Sequence, residues 1–555
     1  MVGRHRIKRL WQVGWFPAAL VLLYLYNFPY FTAIHSANEL PRIYLTMAIV
    51  DRGALNIDPE LHHHQFTPDT STYKNKVYAN KAPGMSFLTI PVYVVQKWAN
   101  GGKTPSVPRM FFWFRVFGSM LPALLFLLLL WRFLGELIPD VGVRRMVLAA
   151  YGLGTMAFTY GTLLIAHQLS ALLMATGYLL VFLHWRGKGS RLSHLWAGLA
   201  AGCGVLVDYQ VAFIGPPLFL YVLAKGNGAR AGVERALRLW PRLRGGLLFG
   251  LGALPPLLGL LLYHWACFDD PLKTGYHYPT AQLFKVWHSK GFLGMVEFKF
   301  EAFWGSFFTA DNGLLYFSPF LLLAVPGLVW MLATRGLRVD ALFCALMIAF
   351  FAYFVSSLTF WRSGWAVGPR YITCALPYYL VPVAVAMGRV GAARFWWRAL
   401  PFGLMALAIL LYTTAQAVFP HYPENFSVPW FDLTLRFGRA GYVTYNLGWW
   451  LGLSGLASVA PYLVLLGALL SALLLGGSGR LWQRGVVAVG ALAVVALLLA
   501  SYHAELWRRS HPLPVSFMPW LERIWEPRHE GMDLGKLLPD GDPERVGLRT
   551  QKPWW

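Results

Sequence analysis

The feature that most constrains this chain is a recurrence of long apolar runs. They cover residues 13–33, 109–131, 146–165, 168–185, 194–208, 211–224, 244–264, 314–333, 340–358, 372–388, 400–419, 457–477 and 485–502. A helix needs roughly 17–25 apolar residues to cross a bilayer, and helices satisfy their own backbone there. The pair flanking Asp208-Tyr209-Gln210 is the shortest of the set. Composition agrees, with 57% hydrophobic and 13% charged residues, against about 25% charged in soluble domains. The spacing predicts an all-α integral membrane protein with about 13 transmembrane helices. A disordered chain, a disulfide scaffold and an ordinary soluble enzyme are excluded. Cys203, Cys267, Cys344 and Cys374 form no C-x-x-C pair and read as small core residues. The run from Trp15 to Phe31 has a basic leader but no small-residue cleavage site, so it reads as a retained first span.

Charge then sets the orientation. The net charge is +23, from 48 Lys and Arg against 25 Asp and Glu. Segments 1–10, 132–145, 186–191, 225–244, 335–338, 389–398 and 480–484 hold 23 of those basic residues. Only four acids, Glu136, Asp140, Glu234 and Asp340, lie in or beside them. With 13 spans, all seven segments fall on one side, and the positive-inside rule makes that side cytoplasmic. The excess charge is an orientation signal rather than a nucleic-acid footprint. The apolar run Met85 to Trp98 has 14 residues. It is short for a span, and crossing there would invert every later loop, so it reads as a juxtamembrane or re-entrant helix.

The outer side then carries the stretches 34–108, 265–313, 359–371 and 420–456 and the tail 503–555, where function is expected. Glu39 directly follows the first span. It is placed either to take a proton from a substrate hydroxyl or to stabilise a helix N-terminus. Lys81 follows a strand-like stretch and precedes an interfacial helix, a setting for a phosphate or for a snorkelling lysine. His167 and Asp208 sit at outer helix ends, where an ionisable residue marks a functional site or a buried hydrogen bond. Arg362 and Arg370 lie among aromatics, as phosphate ligands or as interfacial anchors. His62-His63-His64 lacks the spacing of a zinc site, and Asp269-Asp270 serves a turn as well as it would an ion. No metal or other cofactor is predicted. No Walker loop, dinucleotide fingerprint, G-x-S-x-G or H-E-x-x-H occurs. An outer site would lack nucleotide donors, so an activated group must arrive on lipid.

The ordered set of elements resembles the GT-C superfamily of polytopic glycosyltransferases, in its bacterial aminoarabinose transferase and protein mannosyltransferase branch. Asn38-Glu39-Leu40-Pro41-Arg42-Ile43-Tyr44, running to Gly53, is similar to the family's acidic first-loop helix. Asn80-Lys81-Ala82-Pro83-Gly84 resembles its Lys-Pro-Pro-Leu element, from which it departs after the lysine. His167 takes the place where many relatives put an Asp, and Gly368-Pro369-Arg370-Tyr371 resembles an Arg-Tyr that opens a late span. The resemblance covers about the first 400 residues.

The resemblance implies a GT-C-like bundle with a long first periplasmic loop carrying juxtamembrane helices. Residues 1–420, with outer loop 34–108, would form the catalytic module. Residues 421–502 would add C-terminal helices with an outer loop, and 503–555 an extracytoplasmic tail. The implied reaction moves a sugar from a polyprenyl-phosphate donor to a glycan, lipid or protein acceptor, with inversion. Glu39 would be catalytic, as base or as orienting group. Lys81 with Arg362 or Arg370 would hold the donor phosphate. Arg42, Tyr44, His167, Asp208, Lys273, Tyr276 and Tyr371 would contact substrate. The implied location is a bacterial inner membrane, N-terminus cytoplasmic and C-terminus periplasmic. A transporter or lipid flippase, which the absence of an internal repeat disfavours, and a non-catalytic envelope assembly protein are the competing readings.

Overall fold

A computed structural model describes residues 2–27, 37–225, 239–288, 290–291, 294–476 and 479–508. The C-terminal tail beyond 508 and the end of the first expected span lie outside the described residues. Each of the expected apolar runs is mostly helical over its described residues. Eight helices among the described residues are long and apolar enough to cross a membrane, and the chain is an integral membrane protein on that ground. Three shorter apolar helices, Gly14–Tyr26, Ser193–Val207 and Pro319–Ala333, accompany them. The first is the apolar part of α1 (Val2–Tyr26).

Three expected runs are broken rather than continuous. Run 146–165 divides into α7 (Val141–Leu153) and α8 (Met156–Thr162), followed by an extended link to α9 (Ala166–Trp185). The Thr155 hydroxyl caps α8, accepting from the Ala157 N–H at 3.1 Å, and Ser318 donates to the freed Gly154 carbonyl at 2.8 Å. Run 211–224 is a 3-10 turn, Tyr209–Ile214, leading from α10 (Ser193–Val207) into α11 (Gly215–Lys225). Run 314–333 is interrupted at Ser318. Non-helical backbone at membrane depth is tolerated only where protein satisfies it. The first two breaks flank the site described below.

The basic segments converge on one end of the bundle. Arg132 donates to the Lys188 carbonyl at 3.0 Å, and Arg398 pairs with Asp140 at 3.2 Å. Phe395 meets Trp482 at 5.4 Å between ring centres. Buried Lys225 stands 3.5 Å above the Trp185 ring and pairs with Asp340 at 2.7 Å. Arg145 stacks over Trp15 at 5.1 Å. A cavity of about 520 Å³ opens at this end, between residues 138–145 and 388–392.

The long loops meet at the other end. In the first, α2 (Leu40–Arg52) and α4 (Gly84–Ala99) lie side by side and parallel. Thr46 bonds Thr89 at 2.8 Å, and Tyr93 donates to Asp51 at 2.7 Å. The helix α5 (Val107–Arg115) then returns along α4, with Tyr93 against Phe114. It continues through a π-helical turn into α6 (Leu121–Leu134), which reaches the basic end. The segment Met85–Trp98 is thus helical and packs along α2 and α5. A short helix, α3 (Asp58–His63), and a hairpin of β1 (Thr70–Tyr73) and β2 (Lys76–Ala79) lie between α2 and α4. The hairpin turn places Lys74 and Asn75 at φ of 46° and 60°, the left-handed pair that matches strand twist. The hairpin is pinned to the loop after helix Leu239–Phe268, where the Thr72 N–H donates to Tyr278 O and the Thr280 N–H to Thr70 O, both at 2.9 Å.

Candidate functional site

The hairpin register brings the first charged pair together. Thr70 faces Ala79, so Asp69 and Lys81 emerge side by side from the open end. Their side chains pair at 3.1 Å and are nearly buried. Ser71 donates to the Gly275 carbonyl at 2.7 Å, which sets the next residue, Tyr276, with its ring 5.5 Å from Lys81 Nζ. A side chain at Gly275 would come within 2.7 Å of Asn80 Cα, so glycine allows this close approach. Burial tends to raise the Asp69 pKa, but Lys81 outweighs it. With Arg370 and Arg42 also in electrostatic reach, the carboxyl is held below its ordinary value.

Two more cations come from other elements. Arg42 is in the first turn of α2, and its guanidinium donates back to Asn38. Arg370 opens the 3-10 turn before helix Leu376–Ala392 and stacks near Tyr371, 5.7 Å from the ring centre. The buried Nε atoms of both arginines find no hydrogen-bond partner among the described residues. Buried donors are nearly always paired, so these two mark a place for an anion. The Asp208 and Asp69 carboxylates lie in electrostatic reach of Arg42. Glu39 also lies in electrostatic reach of Arg42, and Glu424 in reach of Arg370 and Arg362.

His167, at the start of α9, joins the same cluster. Its Nδ1 meets Asp208 Oδ2 at 2.8 Å, and Asp208 ends α10 where the helix breaks. The side-chain amide of Gln210 lies 3.0 Å from the same nitrogen, and the Tyr371 ring meets the imidazole edge to face at 5.6 Å. The structure therefore brings together Arg42, Lys81, His167, Asp208, Tyr276, Arg370 and Tyr371 from six separate stretches of chain.

Glu39 sits beside this cluster, fully buried. Arg115 of α5 holds both its oxygens, Nε to Oε1 at 3.0 Å and Nη2 to Oε2 at 2.9 Å. Oε1 also accepts the Leu164 N–H at 2.6 Å. Leu164 lies in the extended link between α8 and α9, so Glu39 satisfies a backbone donor that no helix does. Arg115 stacks on Phe111 at 3.8 Å. This carboxylate is engaged on every side, which suits an orienting group better than a base.

The remaining expected residues lie apart. Arg362 pairs with Asp311 at 2.7 Å and packs over Trp361, on the flank of the cluster. Tyr44 donates to the Gln65 carbonyl at 2.5 Å and stacks on His64, within the first loop's own packing. Lys273 sits in the turn after Asp270, and only its backbone N–H, 3.3 Å from Asp270 O, enters a hydrogen bond among the described residues. Among the described residues no group of three His, Cys, Asp or Glu side chains converges for a metal. Sequence reading missed Arg115, although a lone arginine inside an apolar run marks a functional site by default. It also passed over Asp69 and Gln210.

Two solved structures of ArnT align with this chain. The crystal structure of ArnT from Cupriavidus metallidurans bound to undecaprenyl phosphate aligns with 95% of this chain and 85% of that one, at 15% identity and a TM-score of 0.44. The apo state of ArnT aligns with 97% and 85%, at 14% identity and a TM-score of 0.47. No family model and no curated protein matches the sequence. The likeness to ArnT is remote.

Proposed function

We propose that the chain is a GT-C-type glycosyltransferase that moves a sugar from a polyprenyl-phosphate donor to an extracytoplasmic acceptor. The observation that carries this reading is the pair of orphaned Nε donors, on Arg42 and Arg370, beside Lys81. A lipid-linked phosphate supplies acceptors for these donors. Lys81 and Arg370 would take the phosphate, with Arg42 beside them and Arg362 at the rim. Tyr276 would pack against the head group next to Lys81. Glu39, held by Arg115, would fix the α8–α9 link and so the position of His167. Tyr371 would line the sugar site. Inversion follows from a single displacement at the anomeric carbon, with the lipid phosphate as leaving group. Tyr44 and Lys273 would reach substrate only through movement of their loops.

The basic end would face the cytoplasm and the cluster the periplasm of a bacterial inner membrane. That places the N-terminus inside and, with 13 spans, the C-terminus outside. The partition into a module of residues 1–420, added helices to 502 and a tail 503–555 belongs to the same proposal. A transporter would expose a path through the bundle midplane. Here the cluster of the candidate site lies at the looped end instead. Mass spectrometry of envelope glycolipids and glycans, with and without the protein, tests the reading. Loss of one glycosylated species on removal is expected; unchanged profiles refute it.

A further inference from the structure

The cluster holds one group poised to accept a proton. Asp208, which can only accept, lies 2.8 Å from His167 Nδ1. The neutral imidazole therefore carries its hydrogen there, with the Gln210 amide turned to offer its oxygen rather than its nitrogen, and leaves a lone pair on the ring Nε2. That Nε2 is buried and finds no hydrogen-bond partner among the described residues. The neighbouring carboxylates are already committed. Glu39 is closed by Arg115 and the Leu164 N–H, and Asp69 by Lys81. An imidazole fixed in one tautomer by a carboxylate, with its second nitrogen open, has the arrangement a general base requires.

We propose that His167, oriented by Asp208, is the base for an alcohol acceptor, so the acceptor group is a hydroxyl rather than a phosphate. This rests on the glycosyl-transfer reading above and extends it. The hydroxyl proton passes to Nε2 as the acceptor oxygen bonds the anomeric carbon. The bond from that carbon to the phosphate oxygen breaks, and its electron pair leaves with the polyprenyl phosphate. Lys81 and Arg370 hold that oxygen. The imidazolium, stabilised by Asp208, then yields its proton to solvent or to the departing phosphate. A phosphate acceptor, ionised at neutral pH, would need no such base.

The groups around His167 set its pH response. Asp208 ends α10, Arg42 is on α2, and Arg370 and Tyr371 open the late 3-10 turn. Tyr160 of α8 faces the ring edge, and Cys374 lies 3.8 Å from the His167 carbonyl. Protonation of the imidazole removes the lone pair a base needs, so turnover falls on the acid side.

The test uses the full chain in lipid nanodiscs. Polyprenyl-phosphate sugars extracted from the host membrane are supplied with extracted envelope lipid and glycan. Released polyprenyl phosphate and product linkage are read by mass spectrometry. His167→Gln is expected to lower kcat about 10²–10⁴-fold, with the donor KM within about threefold and the acid limb gone. Asp208→Asn is expected to lower kcat at least about tenfold. A His167→Gln enzyme within about threefold of wild-type kcat overturns the inference. So does sugar attached to an acceptor phosphate. If His167→Gln fails to fold, the wild-type profile decides, since a flat kcat from about pH 5 to 9 also overturns it. A wild-type protein without turnover overturns the glycosyl-transfer reading itself, and the base assignment with it.

Discussion

Glu39→Gln should destabilise this protein more than most single substitutions. Glu39 and Arg115 are fully buried, their side chains 0% and 2% exposed, and joined by two hydrogen bonds of 3.0 and 2.9 Å. Breaking a buried ion pair by removing one partner costs about 3–5 kcal/mol, because the other charge stays buried and uncompensated. Glutamine keeps one oxygen for the Leu164 N–H, so the loss comes mainly from stranding the guanidinium. Arg115→Met should cost a similar amount by stranding the carboxylate. The double variant Glu39→Gln/Arg115→Met leaves neither charge, and a neutral replacement of a buried pair is often close to neutral in energy. It should therefore cost less than either single change, although the two single effects sum to about 6–10 kcal/mol. Reversible unfolding in mixed micelles, followed by far-ultraviolet circular dichroism, measures all three. Additive single effects, or a Glu39→Gln cost under about 1 kcal/mol, would refute the account of Glu39 as a structural anchor of the α8–α9 link.

Other outcomes follow from the same geometry. Gly84→Ala should cost about 1–3 kcal/mol, since a Cβ there would lie 2.6 Å from the Leu206 carbonyl oxygen and α4 must shift off α10; thermal unfolding reads the loss. Arg370→Ala should raise the donor KM about 10–100-fold, from loss of a charge-assisted contact worth about 1.5–3 kcal/mol; an unchanged KM removes Arg370 from the phosphate site. Asp69 is held below its ordinary pKa, so its stabilisation is complete above the unfolded value of about 3.9 and is lost as pH falls through the lower folded value. Asp69→Asn should flatten that acid dependence, which a pH series of unfolding curves checks.

Much of this molecule was legible in the sequence. Apolar runs report helices at membrane depth directly, because the bilayer penalises every charge and every unpaired amide. The basic segments gather at one end as their charge pattern required. The 14-residue run Met85–Trp98 is a helix packed beside α2. Breaks at Thr155, Asp208 and Ser318 were less visible, since apolar residues on both sides hide a backbone that bends to meet distant partners. Lys81, His167, Asp208 and Arg370 stood out as polar residues beside spans, and the structure gathers them. Pairings across the fold were not readable. Arg115 lies 76 positions from Glu39, and nothing local reports that contact. The engagement of the Glu39 oxygens could therefore not be foreseen, nor the open nitrogen of His167, which depends on Asp208 from another helix.

The central claim is that Lys81, Arg370 and their neighbours hold a lipid-linked phosphate for sugar transfer. The most direct measurement is release of polyprenyl phosphate by the full chain in membranes supplied with polyprenyl-phosphate sugars, wild type against Lys81→Ala. Turnover in the wild type and its loss by at least about 100-fold in Lys81→Ala, equivalent to about 2.7 kcal/mol, with both proteins folded, is the predicted result. Equal turnover in the two, or none in the wild type, would contradict it.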